Sequence, residues 1–149
     1  MKITKNLVVL LGAVALAGCA MPTKQPVASE ITEVPRERVE RINEQVAPLG
    51  RISVTRDVGL LGSGCYLGLM IDGQLAVKLD PGERYTVDLS AGRHLLTATF
   101  VKGRGLCGIG SEKQAAAHRR STEIFVDAGQ NRPYRLRTGE TDVTIEPAF

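Results

Sequence analysis

Hydrophobic and polar residues alternate along most of the chain after residue 50, with the period of two that β-strands require. The alternation predicts eight short strands, near residues 52–54, 65–71, 75–79, 85–89, 93–101, 122–126, 134–136 and 143–145. Turn pairs separate several of them: Asp72-Gly73, Pro81-Gly82, Ala91-Gly92 and Ala128-Gly129. No helical pattern lies between the strands, so no βαβ unit is predicted. An all-β fold, an antiparallel β-sandwich, is therefore expected.

The segment before the strands has a different period. Val39, Ile42 and Val46 are spaced by three and four residues, which places them on one face of a helix. Prolines flank this segment on both sides, as is common at helix ends. The sequence therefore predicts a short N-terminal helix over residues 36–46, docked either on its own domain or on a partner protein.

The first 18 residues are typical of a secretory signal peptide. Lys2 and Lys5 give a basic start, and residues 7–16 form an uncharged apolar run. About ten apolar residues at roughly 1.5 Å each are too short to span a hydrocarbon core of roughly 30 Å. A basic start with a short apolar run indicates a segment that is removed from the mature protein.

The residues that follow carry a more specific motif. Leu16-Ala17-Gly18-Cys19 resembles the lipobox of bacterial lipoproteins, which is cut before the cysteine. The resemblance implies that Cys19 is the lipidation site and that acyl chains hold the protein on a membrane. Position 20 is Ala, not the Asp that marks inner-membrane retention in such lipoproteins. The resemblance therefore implies that the protein is located at the outer membrane, facing the periplasm.

Residues 19–35 differ in composition from the strands. They contain Pro22, Pro26 and Pro35 with Thr, Ser, Lys and Glu, and few bulky apolar residues. Such a segment buries too little apolar surface to offset its conformational entropy, so a flexible tether is predicted. The predicted organisation is a signal peptide at 1–18, a tether at 19–35, a short helix at 36–47 and a β-sandwich at 50–149.

The turns also support a family resemblance. The run 71–96, with corners at Asp72-Gly73, Pro81-Gly82 and Gly92-Arg93-His94, resembles the small bacterial envelope β-domains of PEGA type. It is also similar to a family of uncharacterised periplasmic lipoproteins. The resemblance covers roughly residues 53–101 and consists mostly of turn residues. It implies an immunoglobulin-like or PEGA-like sandwich that acts as a binding or surface module, and it supplies no catalytic residues.

Composition and charge argue against a nucleic-acid partner. The 149 residues fit one domain, and the 19 Lys and Arg exceed the 16 Asp and Glu by only three. Aromatic residues form 4% of the chain. Phosphate binding needs an excess of positive charge and base stacking needs aromatic side chains, so neither mode of binding is favoured.

Two cysteines remain once Cys19 is lipidated: Cys65 and Cys107. An even pair in an oxidising compartment usually forms a disulfide. Both lie in glycine-rich loops, so the bond would join these loops at one end of the sandwich. A redox pair is disfavoured because there is no Cys-x-x-Cys motif, and no metal is expected because the cysteines and histidines lack ligand spacing.

Gly103, Gly105 and Gly108 match the spacing of a dinucleotide-binding loop. That loop requires a parallel βαβ unit with a helix starting at the glycines, which the strand pattern does not provide. No soluble cofactor is therefore expected.

The stretch 102–120 is locally basic. Its five cations oppose a single acid, Glu112: they are Lys102, Arg104, Lys113, Arg119 and Arg120. A surface of this charge could bind an anionic envelope partner, such as a lipid phosphate or an acidic protein. The alternative is a solvated loop with acids nearby.

Catalytic chemistry has little support. His94 and His118 are the histidines available for acid–base work near neutral pH, and neither has a recognisable acidic or nucleophilic partner. We expect a non-enzymatic lipoprotein that binds or braces an envelope component, such as another envelope protein. The alternatives are a binding module for an anionic glycan or lipid that uses residues 102–120, and an unrecognised hydrolase.

Overall fold

The computed structural model describes residues 23–60, 62–101, 118–139 and 142–149, and this part of the chain is almost entirely β. The strands are β1 (Thr32–Glu33), β2 (Leu49–Arg56), β3 (Tyr66–Ile71), β4 (Gln74–Leu79), β5 (Glu83–Ser90), β6 (Gly92–Val101), β7 (Arg120–Val126), β8 (Asn131–Thr138) and β9 (Val143–Pro147). Two short 3-10 helices lie at Ala28–Glu30 and Arg36–Arg38. All eight predicted strands are present, and β1 is an addition.

The strands form two sheets that share one core. One sheet has the order β1-β5-β2-β8-β9 and the other the order β4-β3-β6-β7. Inward-facing side chains of both sheets meet in a single hydrophobic cluster, which includes Ile52, Leu69, Leu89, Leu96 and Leu136. Each of these five is at most 1% exposed. Burial of apolar area at about 25 cal/mol per Å² holds the sheets together, and the all-β prediction is confirmed.

The predicted turn residues adopt the backbone conformations that their turns require. Asp72 and Gly73 join β3 to β4 with φ values of 50° and 83°. Positive φ at both positions is the mark of a type I′ hairpin, which matches the twist of the flanking strands. Gly82 and Gly129, at the turns before β5 and β8, also have positive φ. Glycine therefore stands where a side chain would strain the backbone.

The prediction of a purely antiparallel arrangement is wrong in two places. β2 runs parallel to β8, with Arg51 opposite Asn131, and β1 runs parallel to β5. A parallel pair needs a long crossover connection, which is often a helix. Here the strands from β3 to β7 supply the connection, so parallel pairing arises without a βαβ unit.

The predicted helix over residues 36–46 is also wrong. The chain makes one 3-10 turn at Arg36–Arg38 and is extended at Val39, with φ −96° and ψ 123°. Val39 forms a bridge with Val77 of β4, and the Glu40 amide donates to a β4 carbonyl at 2.8 Å. The edge of β4 satisfies backbone groups that a helix would have paired internally. A helix this short is marginal on its own, so pairing with the edge of the sheet is more stable than the helix.

Residues 23–35, predicted as part of a flexible tether, are paired with the two-sheet domain. The buried Thr23 hydroxyl donates to the Thr138 carbonyl at 3.0 Å and accepts from the Thr138 amide at 3.1 Å. Lys24 and Val58 exchange two backbone hydrogen bonds of 2.9 Å, and β1 pairs with β5. These hydrogen bonds and strand pairings offset the conformational entropy that is lost when the segment becomes ordered. Burial of its few apolar residues could not do so alone. The folded unit therefore extends to the N-terminal side of the predicted boundary at residue 50.

Candidate functional site

Several irregular segments of the described chain lie at one end of the two sheets. β2, β4, β6 and β8 end there, and β3, β5, β7 and β9 begin there, since Tyr66 pairs with Val101 and Leu67 with Leu79. We call this the loop end. Its described residues are 23–31, 57–60, 62–65, 80–82, 118–119, 139 and 142. The opposite end, which we call the far end, contains the turns at 72–73, 91–92 and 127–130.

Arg56 is a buried cation at the loop end. Its side chain is 1% exposed, and its guanidinium donates to the carbonyls of Gly62, Cys65 and Leu79 at 2.6–2.7 Å. A buried guanidinium is costly unless it is fully hydrogen-bonded. Arg56 therefore connects the irregular segment that precedes β3 with the C-terminal end of β4. The sequence did not predict this role of Arg56. It indicated only that Arg56 shares the inward-facing register of β2 with Ile52.

Asp57, the next residue, is equally buried and is held by Arg135. Nε of Arg135 lies 3.1 Å from one carboxylate oxygen, and a second guanidinium nitrogen contacts the other oxygen. The Asp57 side chain is fully buried. Its hydrogen bond raises the pKa of Arg135, against the opposing effect of burial. This two-point pair ties the end of β2 to β8.

Two carboxylates, Asp80 and Glu83, lie near Arg38 where β4 turns into β5. Glu83 accepts from Arg38 through one oxygen and from the Asp80 amide, at 2.7 Å, through the other. The guanidinium carbon of Arg38 lies 4.9 Å from the centre of the Tyr66 ring. Burial lowers the pKa of Arg38, but the hydrogen bond and charge of Glu83 lead the opposing effects that raise it overall. Both oxygens of Glu83 are thus used to hold the turn.

The predicted disulfide includes one described residue. Cys65 lies directly before β3 and is disulfide-bonded, whereas Cys19 and Cys107 lie outside the described residues. Because Tyr66 pairs with Val101, Cys65 lies beside the strand end from which the chain leads towards Cys107. This register favours the bond between Cys65 and Cys107, which stays a prediction.

The basic stretch is described only at its C-terminal end. Three of its five cations lie outside the described residues: Lys102, Arg104 and Lys113. Arg119 is exposed, and Arg120 is half-exposed with Nε 3.8 Å from an Asp142 oxygen. The His118 ring meets Phe100 edge-on, with centroids 6.4 Å apart. Arg119 and Arg120 therefore lie at or next to the loop end, and a single site formed by all five cations stays a prediction.

His94 lies at the far end and has an acidic partner, contrary to our expectation. Its Nδ1 is 2.6 Å from an Asp72 oxygen, and its Nε2 is 2.8 Å from the Ser90 carbonyl oxygen. The other Asp72 oxygen accepts from the Leu95 amide at 2.9 Å. Both ring nitrogens are engaged and His94 is 9% exposed, so the pair ties the β3–β4 turn to the start of β6.

A shallow depression of about 340 Å³ also lies at the far end. It is lined by β2, β5 and the turn before β8, and includes Leu49, Arg51 and Asp88. Arg51 donates to both oxygens of Asp88, at 2.7 and 3.0 Å. This hydrogen bond lowers the pKa of Asp88. Because the two charges neutralise each other, the pair gives the depression no preference for an anion.

Comparison with known proteins gives no direct guide to function. No family model, curated protein or solved structure matches the chain. In the part of the chain that the structure describes, no three His, Cys, Asp or Glu side chains are grouped to hold a metal ion. No helix among the same residues is long and apolar enough to cross a membrane. The sequence and the geometry of the loop end are therefore the basis for a proposal.

Proposed function

We propose that the chain is a lipid-anchored lipoprotein of the bacterial cell envelope whose folded part is a non-enzymatic binding or structural module. The observation that carries this proposal is the motif Leu16-Ala17-Gly18-Cys19 after a basic start and a short apolar run. In this proposal residues 1–18 are removed and acylated Cys19 holds the protein in the outer membrane. The domain faces the periplasm.

The packing of the loop end supports a module in preference to an enzyme. Arg56 braces three carbonyls, Asp57 holds Arg135, and Glu83 holds Arg38. A catalytic acid or base must reach a proton on its substrate, whereas these buried groups bond within the fold. In this proposal the two sheets form an immunoglobulin-like or PEGA-like sandwich, and the Cys65–Cys107 bond is one more brace.

Cell fractionation tests the anchor. The intact protein is expected with the outer membrane, and the Cys19→Ser variant is expected in the soluble periplasmic fraction. Ser29→Ala is the control, because it changes an exposed residue outside the motif and should leave the protein on the membrane. Retention of Cys19→Ser on the membrane, at the level of the intact protein, would contradict the proposal.

Cross-linking in living cells tests the module. Cross-linked products of the membrane-bound protein are identified by mass spectrometry, and a reproducible envelope component among them supports a binding or bracing role. The contradicting result is a hydrolytic activity of the purified protein that disappears in a folded variant with one His, Asp or Glu replaced.

A further inference from the structure

We propose that the loop end lies against the leaflet that holds the anchor, with Leu60 in contact with the lipid and Lys24 and Arg119 facing anionic headgroups. This inference rests on the proposed lipidation of Cys19. It goes beyond that proposal because an anchor alone sets no orientation of the domain.

The connection between the anchor and the fold is short. Thr23 is 6% exposed and is fixed by two hydrogen bonds to Thr138, and Lys24 pairs with Val58. Cys19 lies four residues before Thr23. Four residues span at most roughly 14 Å in any conformation. The point where the chain enters the fold therefore stays near the leaflet.

The fold is longer than this connection. β6 runs from the far end to the loop end and has 10 residues, which at about 3.3 Å each span roughly 33 Å. The far end therefore cannot rest on the leaflet while the loop end points away from it. An upright orientation on the loop end and a side-on orientation remain, and the exposed groups around Thr23 favour the first.

Leu60 is an exposed apolar side chain beside this entry point. It is 82% exposed, and a Cβ placed on the preceding Gly59 would lie 3.1 Å from Thr23 Cα. An exposed leucine is ordinary on a soluble surface. Here the residue before it, Gly59, lies against Thr23, which the anchor holds near the lipid, where removing apolar surface from water is favourable.

Lys24 and Arg119 add positive charge to the loop end. Both side chains are exposed, and among the described residues neither forms an ion pair with a carboxylate. Basic groups beside an anionic leaflet are attracted to its headgroups within a Debye length. Leu60 and these two cations share the loop end with the exposed Glu30, and they are the groups that would meet an anionic lipid surface.

One introduced tryptophan reports this contact, because the chain contains none. Leu60→Trp probes the loop end, and Val46→Trp, whose position is 71% exposed at the far end, is the matched control. Each acylated variant is placed in vesicles of phosphatidylethanolamine and phosphatidylglycerol that contain brominated lipid, which quenches tryptophan in the acyl region. Trp at position 60 is expected to lose most of its fluorescence, and Trp at position 46 almost none.

The outcomes separate this inference from the proposed anchor. Equal quenching at both positions indicates a side-on domain and overturns the inference. Absence of quenching at position 60, in protein that still floats with the vesicles, also overturns it and leaves the anchor intact. If the protein neither floats nor carries an acyl chain by mass, the proposed function fails and the inference fails with it.

The headgroup contact has its own readout. Arg119→Glu, combined with Leu60→Trp, is expected to reduce quenching in the vesicles that contain phosphatidylglycerol. It should have no effect in vesicles of phosphatidylcholine alone, which carry no net charge. If the reduction is the same in both kinds of vesicle, anionic headgroups are not what Arg119 faces.

Discussion

Gly50 lies where β2 passes the turn between β7 and β8. A Cβ placed there would be 2.2 Å from the Asp127 carbonyl oxygen and 2.6 Å from a Val126 methyl carbon. Because backbone must move to relieve this clash, Gly50→Ala is expected to lower the free energy of unfolding by about 2–4 kcal/mol. Gly64→Ala, whose Cβ meets nothing within 4 Å, should change it by less than about 0.5 kcal/mol. Urea unfolding measures both, and equal stabilities would contradict the packing.

Arg56 gives a second prediction for a single residue. Arg56→Met leaves three carbonyls without their buried donor, so the free energy of unfolding should fall by about 3–5 kcal/mol. Arg84→Met is the control, because Arg84 makes one 3.4 Å hydrogen bond to Thr55 and should cost less than about 1 kcal/mol. Similar unfolding midpoints for the two variants would show that the carbonyl contacts do not brace the loop end.

Asp88 predicts a pH dependence. The hydrogen bond from Arg51 lowers the pKa of Asp88 below its ordinary value of 3.8. A carboxylate with a lowered pKa in the folded state adds stability above its unfolded pKa, and loses it as the pH falls through the folded pKa. Asp88→Asn should therefore be slightly less stable than the native protein at neutral pH, and the difference should vanish in acid. Urea midpoints across the pH range test this; a constant difference would refute it.

At the level of elements, the strands could be predicted because each carries its own evidence. Every strand from β2 to β9 has an alternating pattern, and turn glycines such as Gly73 mark where several strands end. Which strands are neighbours depends on the whole fold. The parallel pairing that brings Arg51 opposite Asn131 leaves no trace in either segment alone.

The helix prediction failed, and the tether prediction failed over residues 23–35, because the strands that pair with these segments lie elsewhere in the sequence. Ile42 packs on the core while Val46 is 71% exposed, so their helical spacing does not mark one buried face. For the loop-end site, too, only part of the arrangement could be predicted from the sequence. The placement of Cys65 and Arg119 in loops follows from local sequence. The roles of Arg56 and Thr23 do not, since their partners lie in other elements.

Thr23 provides the prediction for the N-terminal segment. Thr23→Val keeps the shape of the side chain but removes both hydrogen bonds to Thr138, so we expect a loss of about 1–2 kcal/mol. Amide hydrogen exchange should quicken in residues 24–34 more than in β3. Thr86→Val, on the exposed side of β5, is the control and should change neither quantity. Unaltered exchange in residues 24–34 of Thr23→Val would mean that other contacts fix this segment.

At the scale of the whole molecule, the fixed position of Thr23 changes what the proposed anchor can do. An extended chain over residues 20–35 would let the domain stand roughly 50 Å from the membrane. With Thr23 in the fold, the connection from Cys19 spans roughly 14 Å at most. In the proposed function the loop end therefore stays near the leaflet, and a partner that lies farther from the membrane meets the far end.

The mass of the mature N-terminus tests the central claim most directly. Protein extracted from membranes is measured intact and then fragmented, so that the first residue and its modifications are both identified. We predict a chain that begins at Cys19 and carries acyl chains on its sulfur and its amino group. A mature chain that begins at another residue, or at Cys19 without lipid, would contradict the account.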